Sequence, residues 1–429
     1  MKRFASIALA VLFVATLTST VMAERTALSI GGSIKLMAAY EENTGSAAVA
    51  SLGTSGNDNR VEEQVNLNID ADLTDNVSAH IGLEQTGAWG GNAMVGAGVG
   101  GGVGPNIDGQ SVALAIDEAY VVVKEFIIEQ VTVKAGVQSI EYSLRNDGNA
   151  MFLSVPEMGA YKGTLNYDPL YVDLIIGKLV ETRNTSGETD TDLIALAVEY
   201  YLENKGKVQV ILFTVIDEDD DISMTEYSAG FTYMFIEDLE VFVQLGGQTG
   251  EWGNGVDTNQ MAYNLGAEYT FSKVNRKPYI GLSYQYFGGD DTDADWINFG
   301  DVDETLVLEA DRNLRDHDIV SLASASQGKI LTDNYSVIRL VGGCVVDEKT
   351  TVDAGLGMFS MVDDGSAAGR VAGGDDSIGM EIDVKVSHKL TDDLTVGAGV
   401  GYVMSGDAIE NTGDDEALVG LYVTATLNF

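Results

Sequence analysis

The C-terminal segment alternates without interruption: Ala417, Val419, Leu421, Val423, Ala425, Leu427 and Phe429 form one apolar row, with Gly420, Tyr422, Thr424, Thr426 and Asn428 between them. Side chains of a strand point alternately to its two faces, so this pattern predicts a strand with one continuous apolar face and one small, polar face. The same period recurs upstream. Leu28, Ile30, Ile34, Leu36, Ala38 and Tyr40 alternate with Ser29, Gly31, Ser33, Lys35 and Ala39, and Val65, Leu67, Ile69, Ala71 and Leu73 alternate with Gln64, Asn66, Asn68, Asp70 and Asp72. A polar turn at Thr74-Asp75-Asn76 then leads into Val77, Ala79, Ile81 and Leu83, which predicts a hairpin. Thr391-Asp392-Asp393 repeats that turn chemistry near the other end.

Segments with this period predict strands near 27–40, 61–73, 77–89, 111–124, 131–142, 160–167, 171–180, 192–202, 207–216, 223–235, 239–250, 261–271, 278–288, 333–346, 351–361, 377–390, 394–404 and 416–429. That is about eighteen strands, with sixteen or fourteen as alternative counts. Connectors alternate between short turns (74–76, 168–170, 236–238, 347–350, 391–393) and long stretches (41–59, 90–110, 143–159, 289–332, 362–376). A single apolar row on every strand and a short–long rhythm of connectors predict an all-β fold, a transmembrane antiparallel up-and-down β-barrel. An even strand number returns both ends of the barrel to the short-turn side. Aromatic residues gather at strand ends as two interfacial girdles would: Tyr167, Tyr171, Tyr233, Phe235, Tyr269, Phe271 and Phe429 on the turn side, Tyr40, Trp89, Tyr286, Phe287 and Tyr402 on the loop side. Pro105, Pro156, Pro169 and Pro278 fall in connectors or at a strand start, where no ladder hydrogen bond is lost. A soluble β-sandwich or solenoid also alternates, but the connector rhythm and the terminal aromatic favour the membrane barrel.

The N-terminus fits that destination. Lys2 and Arg3 precede an apolar run from Ile7 to Val14 and the small-residue site Val21-Met22-Ala23, which predicts a cleaved secretory signal over 1–23 and a barrel over 24–429. No stretch approaches the roughly 18 apolar residues of a membrane helix. The chain carries 66 acidic against 24 basic side chains, and losing Lys2 and Arg3 makes its net charge of −42 two units more negative. Nucleic acid is excluded as a partner. A hydrophobic content of 45% is too high for a disordered acidic chain, and alternating strands absorb it. The lone Cys344 permits no internal disulfide and reads as a small apolar wall residue.

Candidate chemistry is sparse. The glycine-rich run Gly96 to Gly101 satisfies G-x-G-x-x-G, yet no amphipathic helix follows, so it reads as a loop rather than a nucleotide site. His80, His317 and His388 lie far apart in sequence, and no nucleophile, base and orienting group stand out together, so no enzyme is expected. Asp217 to Asp221 and the acids from Asp290 to Glu304 form two acidic loops. Asp291-x-Asp293-x-Asp295 resembles the start of a calcium loop, but Trp296 stands where an EF-hand needs Gly and Val302 where it needs Glu. Loose binding of Ca²⁺ or Mg²⁺, or bridging to lipopolysaccharide through them, is the most these carboxylates predict. The terminal Phe429 resembles the signal that outer-membrane barrels present to the barrel-assembly machinery.

Strand phase predicts the inner wall. Its acids include Asp70, Asp72, Glu84, Asp173, Glu199, Glu226, Glu240, Glu268, Asp353, Glu381 and Asp383, and its bases Lys35, Lys134, Lys162, Arg339, Lys385 and Lys389. Side chains cannot fill a barrel of about eighteen strands, so an aqueous channel is expected, with these charges setting its selectivity. Loop 289–332, with Trp296, Phe299, Arg312 and Arg315, is long enough to fold across the mouth as a constriction.

Five segments resemble one family. Asp117-Glu118-Ala119-Tyr120-Val121, Lys134-Ala135-Gly136-Val137-Gln138, Asp147-Gly148, Tyr161-Lys162-Gly163 and Tyr286-Phe287-Gly288-Gly289-Asp290 resemble the E-A-Y strand, G-R-Q strand end and aromatic–Gly-Asp exit of alginate-export outer-membrane porins. The resemblance covers residues 60 to 300 and implies a monomeric eighteen-stranded barrel. It departs at Val137, where that family has Arg, and the wall predicted here is acidic rather than arginine-rich. The barrel is therefore carried over and the polysaccharide is not. The expectation is an outer-membrane channel for passive diffusion of small hydrophilic solutes or ions, cation-preferring. The alternatives are an exporter of an anionic polysaccharide and a non-conducting structural or adhesive protein.

Overall fold

A sheet of alternating strands keeps two open edges unless it meets itself, and closure is the solution found here. The computed structural model describes residues 27–42, 58–88, 115–145, 150–181, 190–203, 205–217, 221–253, 256–289, 296–297, 299, 305–306, 334–362, 376–406 and 417–429. Its strands are β1 (Ala27–Glu42), β2 (Asp58–Thr74), β3 (Val77–Ala88), β4 (Ala115–Val123), β5 (Val131–Glu141), β6 (Ser154–Tyr167), β7 (Leu170–Glu181), β8 (Asp190–Tyr201), β9 (Gly206–Asp217) and β10 (Ile222–Ile236). They continue with β11 (Leu239–Trp252), β12 (Asp257–Thr258), β13 (Met261–Thr270), β14 (Tyr279–Phe287), β15 (Tyr335–Asp347), β16 (Thr350–Met361), β17 (Ser377–Lys389), β18 (Leu394–Ser405) and β19 (Leu418–Asn428). Each long strand pairs antiparallel with its neighbours in the chain, and β1 closes on β19 with Leu36 opposite Ala425. Because β12 is only a two-residue ladder on the tip of β11, eighteen strands form the wall.

The seam shows why its residues are small. The Gly32 N–H donates to the Phe429 carbonyl at 2.9 Å, and the Phe429 N–H donates to the Gly32 carbonyl at 3.0 Å. A Cβ at Gly32 would come 2.2 Å from the Asn66 carbonyl oxygen of β2 and 2.9 Å from the Phe429 ring, so the close approach of the strands requires glycine there and leaves room for the terminal ring. Outside, Ile30, Leu282 and Val423 belong to an exposed apolar band. Phe235, Phe271 and Phe429 are exposed near its turn-side margin, and Tyr263 stacks on Tyr286 at 4.7 Å toward the loop side. Two expected girdle residues do otherwise. Tyr171 faces the interior edge-on to Tyr201, and Phe287 is buried there. Trp89 lies outside the described residues.

The largest departure from expectation is at β5 and β6. Residues 143–159 read as an external loop, yet β6 begins at Ser154 and the hairpin tip bends into the barrel. Gly136 takes φ +135°, Glu157 takes φ +50°, and the register shifts between Gln138 and Ile140. A Cβ at Gly136 would come 2.1 Å from the Ala119 carbonyl oxygen, so the bend requires glycine. Beyond it Ile140, Tyr142, Leu144, Met151, Phe152, Leu153 and Val155 are buried.

One apolar row per strand also fails on β7, β8 and β9. Their outward Leu174, Ile176, Ile194 and Leu212 are exposed, but inward Ile175, Leu193, Ala195, Ile211 and Phe213 are apolar too, and buried. The tip explains them: Ile140, Tyr142, Leu153 and Val155 share one cluster with these wall residues. A strand covered on both faces needs no polar row.

Candidate functional site

The interior of the barrel is the candidate site, and its two halves differ. On the loop side the ends of β13 to β19 contribute Ala262, Phe287, Tyr335, Val337, Phe359, Ile378, Val403 and Leu418, which pack with Met151 and Phe152 of the tip and with Trp296. Trp296 lies edge-on to Phe152 at 5.8 Å, and Phe299 edge-on to Phe213 at 5.3 Å. Both aromatics of loop 289–332 are thus buried against the inner wall. Gln248 fastens them: its Nε2 donates to the Glu226 carboxylate at 2.8 Å and to the Ile297 carbonyl at 2.6 Å, while its Oε1 accepts the Ile297 N–H at 2.9 Å. Farther round, the Leu306 N–H donates to Glu381 at 3.1 Å. The Ser154 N–H donates to the Phe299 carbonyl at 2.6 Å, joining the tip to this segment. Arg312, Arg315 and the acids Asp291, Asp293 and Asp295 lie outside the described residues.

Toward the turn side the wall carries charge. His80 Nδ1 is 2.7 Å from Asp70, its Nε2 is 3.5 Å from Glu118, and its ring stacks on Tyr120 at 4.8 Å. Lys134 Nζ sits 3.6 Å from the centre of the Tyr120 ring. Lys162 pairs with Asp173 at 2.8 Å and Lys207 with Glu199 at 2.8 Å. The Tyr142 hydroxyl donates to Asp173. Sequence reasoning missed Arg145, which the tip delivers to the opposite wall, 3.1 Å from Glu268 and 3.4 Å from Glu240, with its guanidinium over the Phe242 ring. Two signals pointed to it: the apolar residues within 140–155, and the doubly apolar strands β7 to β9.

Ladder register places every wall residue read from strand phase on the interior face, but not all meet water. Asp70 is 57% exposed, Asp72 is exposed, and Lys35, Glu84, Lys134, Lys162, Glu240, Glu268 and Asp353 are partly exposed. Glu84 accepts from Gln64 at 3.1 Å, and Asp353 from the Tyr279 hydroxyl at 2.8 Å. Arg339, Glu381 and Asp383, expected to line the channel, are buried. The reason is cover, since Trp296, Phe299, Leu306 and the tip lie against the loop-side wall. Arg339 donates to the Gln285 side-chain oxygen at 2.7 Å. Three of the five segments that resemble the alginate-export family come together here: Glu118 and Tyr120 on β4, Lys134 on β5 and Lys162 on β6 share one interior patch. Tyr286 and Phe287 instead end β14 on the loop side, and Asp147-Gly148 lies outside the described residues.

No family model matches the sequence, and no curated protein does, so the alginate-export resemblance has no support beyond its motifs. Solved structures do match. The barrel is similar to three Pseudomonas aeruginosa structures: OccK9 (OpdG), with 14% identity, a TM-score of 0.60 and 94% of this chain covered against 98% of that one; OccK8 (OprE), with 14%, 0.57, 94% and 98%; and OccD3 (OpdP), with 11%, 0.56, 95% and 93%. At such identities the likeness concerns the fold: this chain has the closed eighteen-strand barrel of outer-membrane porins, and the Gram-negative outer membrane is where such a barrel resides.

Proposed function

We propose that the protein is a channel for passive diffusion of small hydrophilic solutes and ions across the outer membrane, with a preference for cations. The observation that carries this reading is the charged turn-side interior, where carboxylates outnumber the bases among them. Lys162, Lys207 and Arg145 are each taken up by wall carboxylates, whereas Asp70 and Asp72 face open lumen. Such a wall concentrates cations and repels anions of the same size.

Planar-bilayer recording tests both parts. Ohmic steps are expected, and under a KCl gradient the reversal potential should take the cation-selective sign. A folded barrel that never conducts would end the diffusion reading in favour of a structural or adhesive role. Anion selectivity would instead favour export of an acidic polysaccharide, for which the neighbouring Lys134 and Lys162 would form the basic wall.

A further inference from the structure

At the boundary between the two interior halves lies a row of three carboxamides. Gln244 on β11 is directly opposite Asn264 on β13, which is directly opposite Gln285 on β14. All three side chains face the interior and are almost wholly buried, at 4%, 8% and 0% exposure. Each keeps one polar atom without a protein hydrogen-bond partner among the described residues: Gln244 Nε2, Asn264 Oδ1 and Gln285 Nε2. Buried polar atoms are normally satisfied, and leaving three neighbours unmatched is costly unless something else meets them. The row adjoins water, because one inward position closer to the turns past Phe242 and Gly266 come the partly exposed Glu240 and Glu268.

We infer that this row is a subsite for a neutral, hydroxyl-rich solute, a small saccharide or polyol. The inference rests on the channel reading and specifies its solute. Arg339 fixes the Gln285 oxygen at 2.7 Å, which leaves its amide as a donor. Across the row the unmatched atoms then run donor, acceptor, donor, on strands about 4.8 Å apart. An ammonium group offers only donors and a carboxylate only acceptors, so each leaves part of the row unmet. A hydroxyl both donates and accepts, so a chain of hydroxyls serves all three and also serves either orientation of the Gln244 and Asn264 amides.

The test is equilibrium binding of glucose, maltose and sorbitol to the detergent-folded full chain, followed by saturation-transfer NMR, with lysine and glutamate as charged probes. The expected result is binding of the neutral solutes in the millimolar range, weakened roughly 5–10-fold per lost hydrogen bond in Gln244→Leu and Asn264→Leu. Glucose should also interrupt the single-channel current of the unmodified protein and not that of Asn264→Leu. Should the leucine variants fail the heat-modifiable mobility test of folding, Asn264→Ala and Gln244→Ala decide the matter in the same way. Equal binding by protein and variants, absence of binding at about 100 mM, or preference for the charged probes would overturn the subsite, ordered water alone then completing the row. A protein that conducts but binds no sugar loses only the subsite, whereas one that binds sugar and never conducts loses the diffusion reading.

Discussion

The loop-side and turn-side halves of the interior are built from the same strands and have opposite chemistry. On β11, Gly246 receives the Phe152 ring in the upper half, while Glu240 in the lower half meets Arg145. On β16, Phe359 belongs to the upper apolar cluster, while Asp353 below accepts from Tyr279. The upper half resembles the core of a soluble protein because two inserted segments cover it. The lower half keeps its charges because water reaches them. Inward direction therefore does not mean contact with the channel, and only what lies over a wall residue decides between the two.

Replacing residues 143–152 by a short Gly-Ser link should break this division most severely. The upper wall would lose its cover, and single-channel conductance should rise several-fold; an unchanged conductance in a folded variant would show that the tip does not restrict flow. Truncating the buried Phe152 to Ala should cost about 3–5 kcal/mol in urea unfolding, the usual penalty for an emptied aromatic site. Lys385→Ala in the lower half should stay within about 0.5 kcal/mol, and equal losses would deny that the halves differ. Arg145→Ala leaves Glu240 and Glu268 without this cation, so the reversal potential in a KCl gradient should move further toward cation selectivity. A similarly small change in stability is expected of Asp70→Asn, since a contact to His80 at so exposed a site is worth at most about 1 kcal/mol. A larger loss would mean that the His80, Glu118 and Tyr120 cluster acts as one unit.

Much of this was legible in the sequence. The alternation located eighteen strands, most within two or three residues of their ends, and set the phase that turns Lys35, Asp70 and Glu268 inward. That phase is a local property: neighbouring side chains of a strand must point apart, and one apolar row must face lipid. On β7 to β9 the expectation of a single apolar row overlooked the apolar residues of the inner face, such as Ile175, Leu193 and Phe213, which signal that something lies against it. What that something is could not be read locally. Arg145 meets Glu240 and Glu268 across 95 and 123 residues of chain, and the bend that carries it there depends on a glycine and a register shift inside an otherwise regular hairpin. Likewise Gln244, Asn264 and Gln285 are ordinary inward amides in sequence, and become a row only through the pairing of three strands. The sequence by itself determined the wall and the direction of its side chains, because both follow from a period of two residues. The tertiary structure alone decided which parts of that wall are covered and which are wet, because that depends on contacts between segments far apart in the chain.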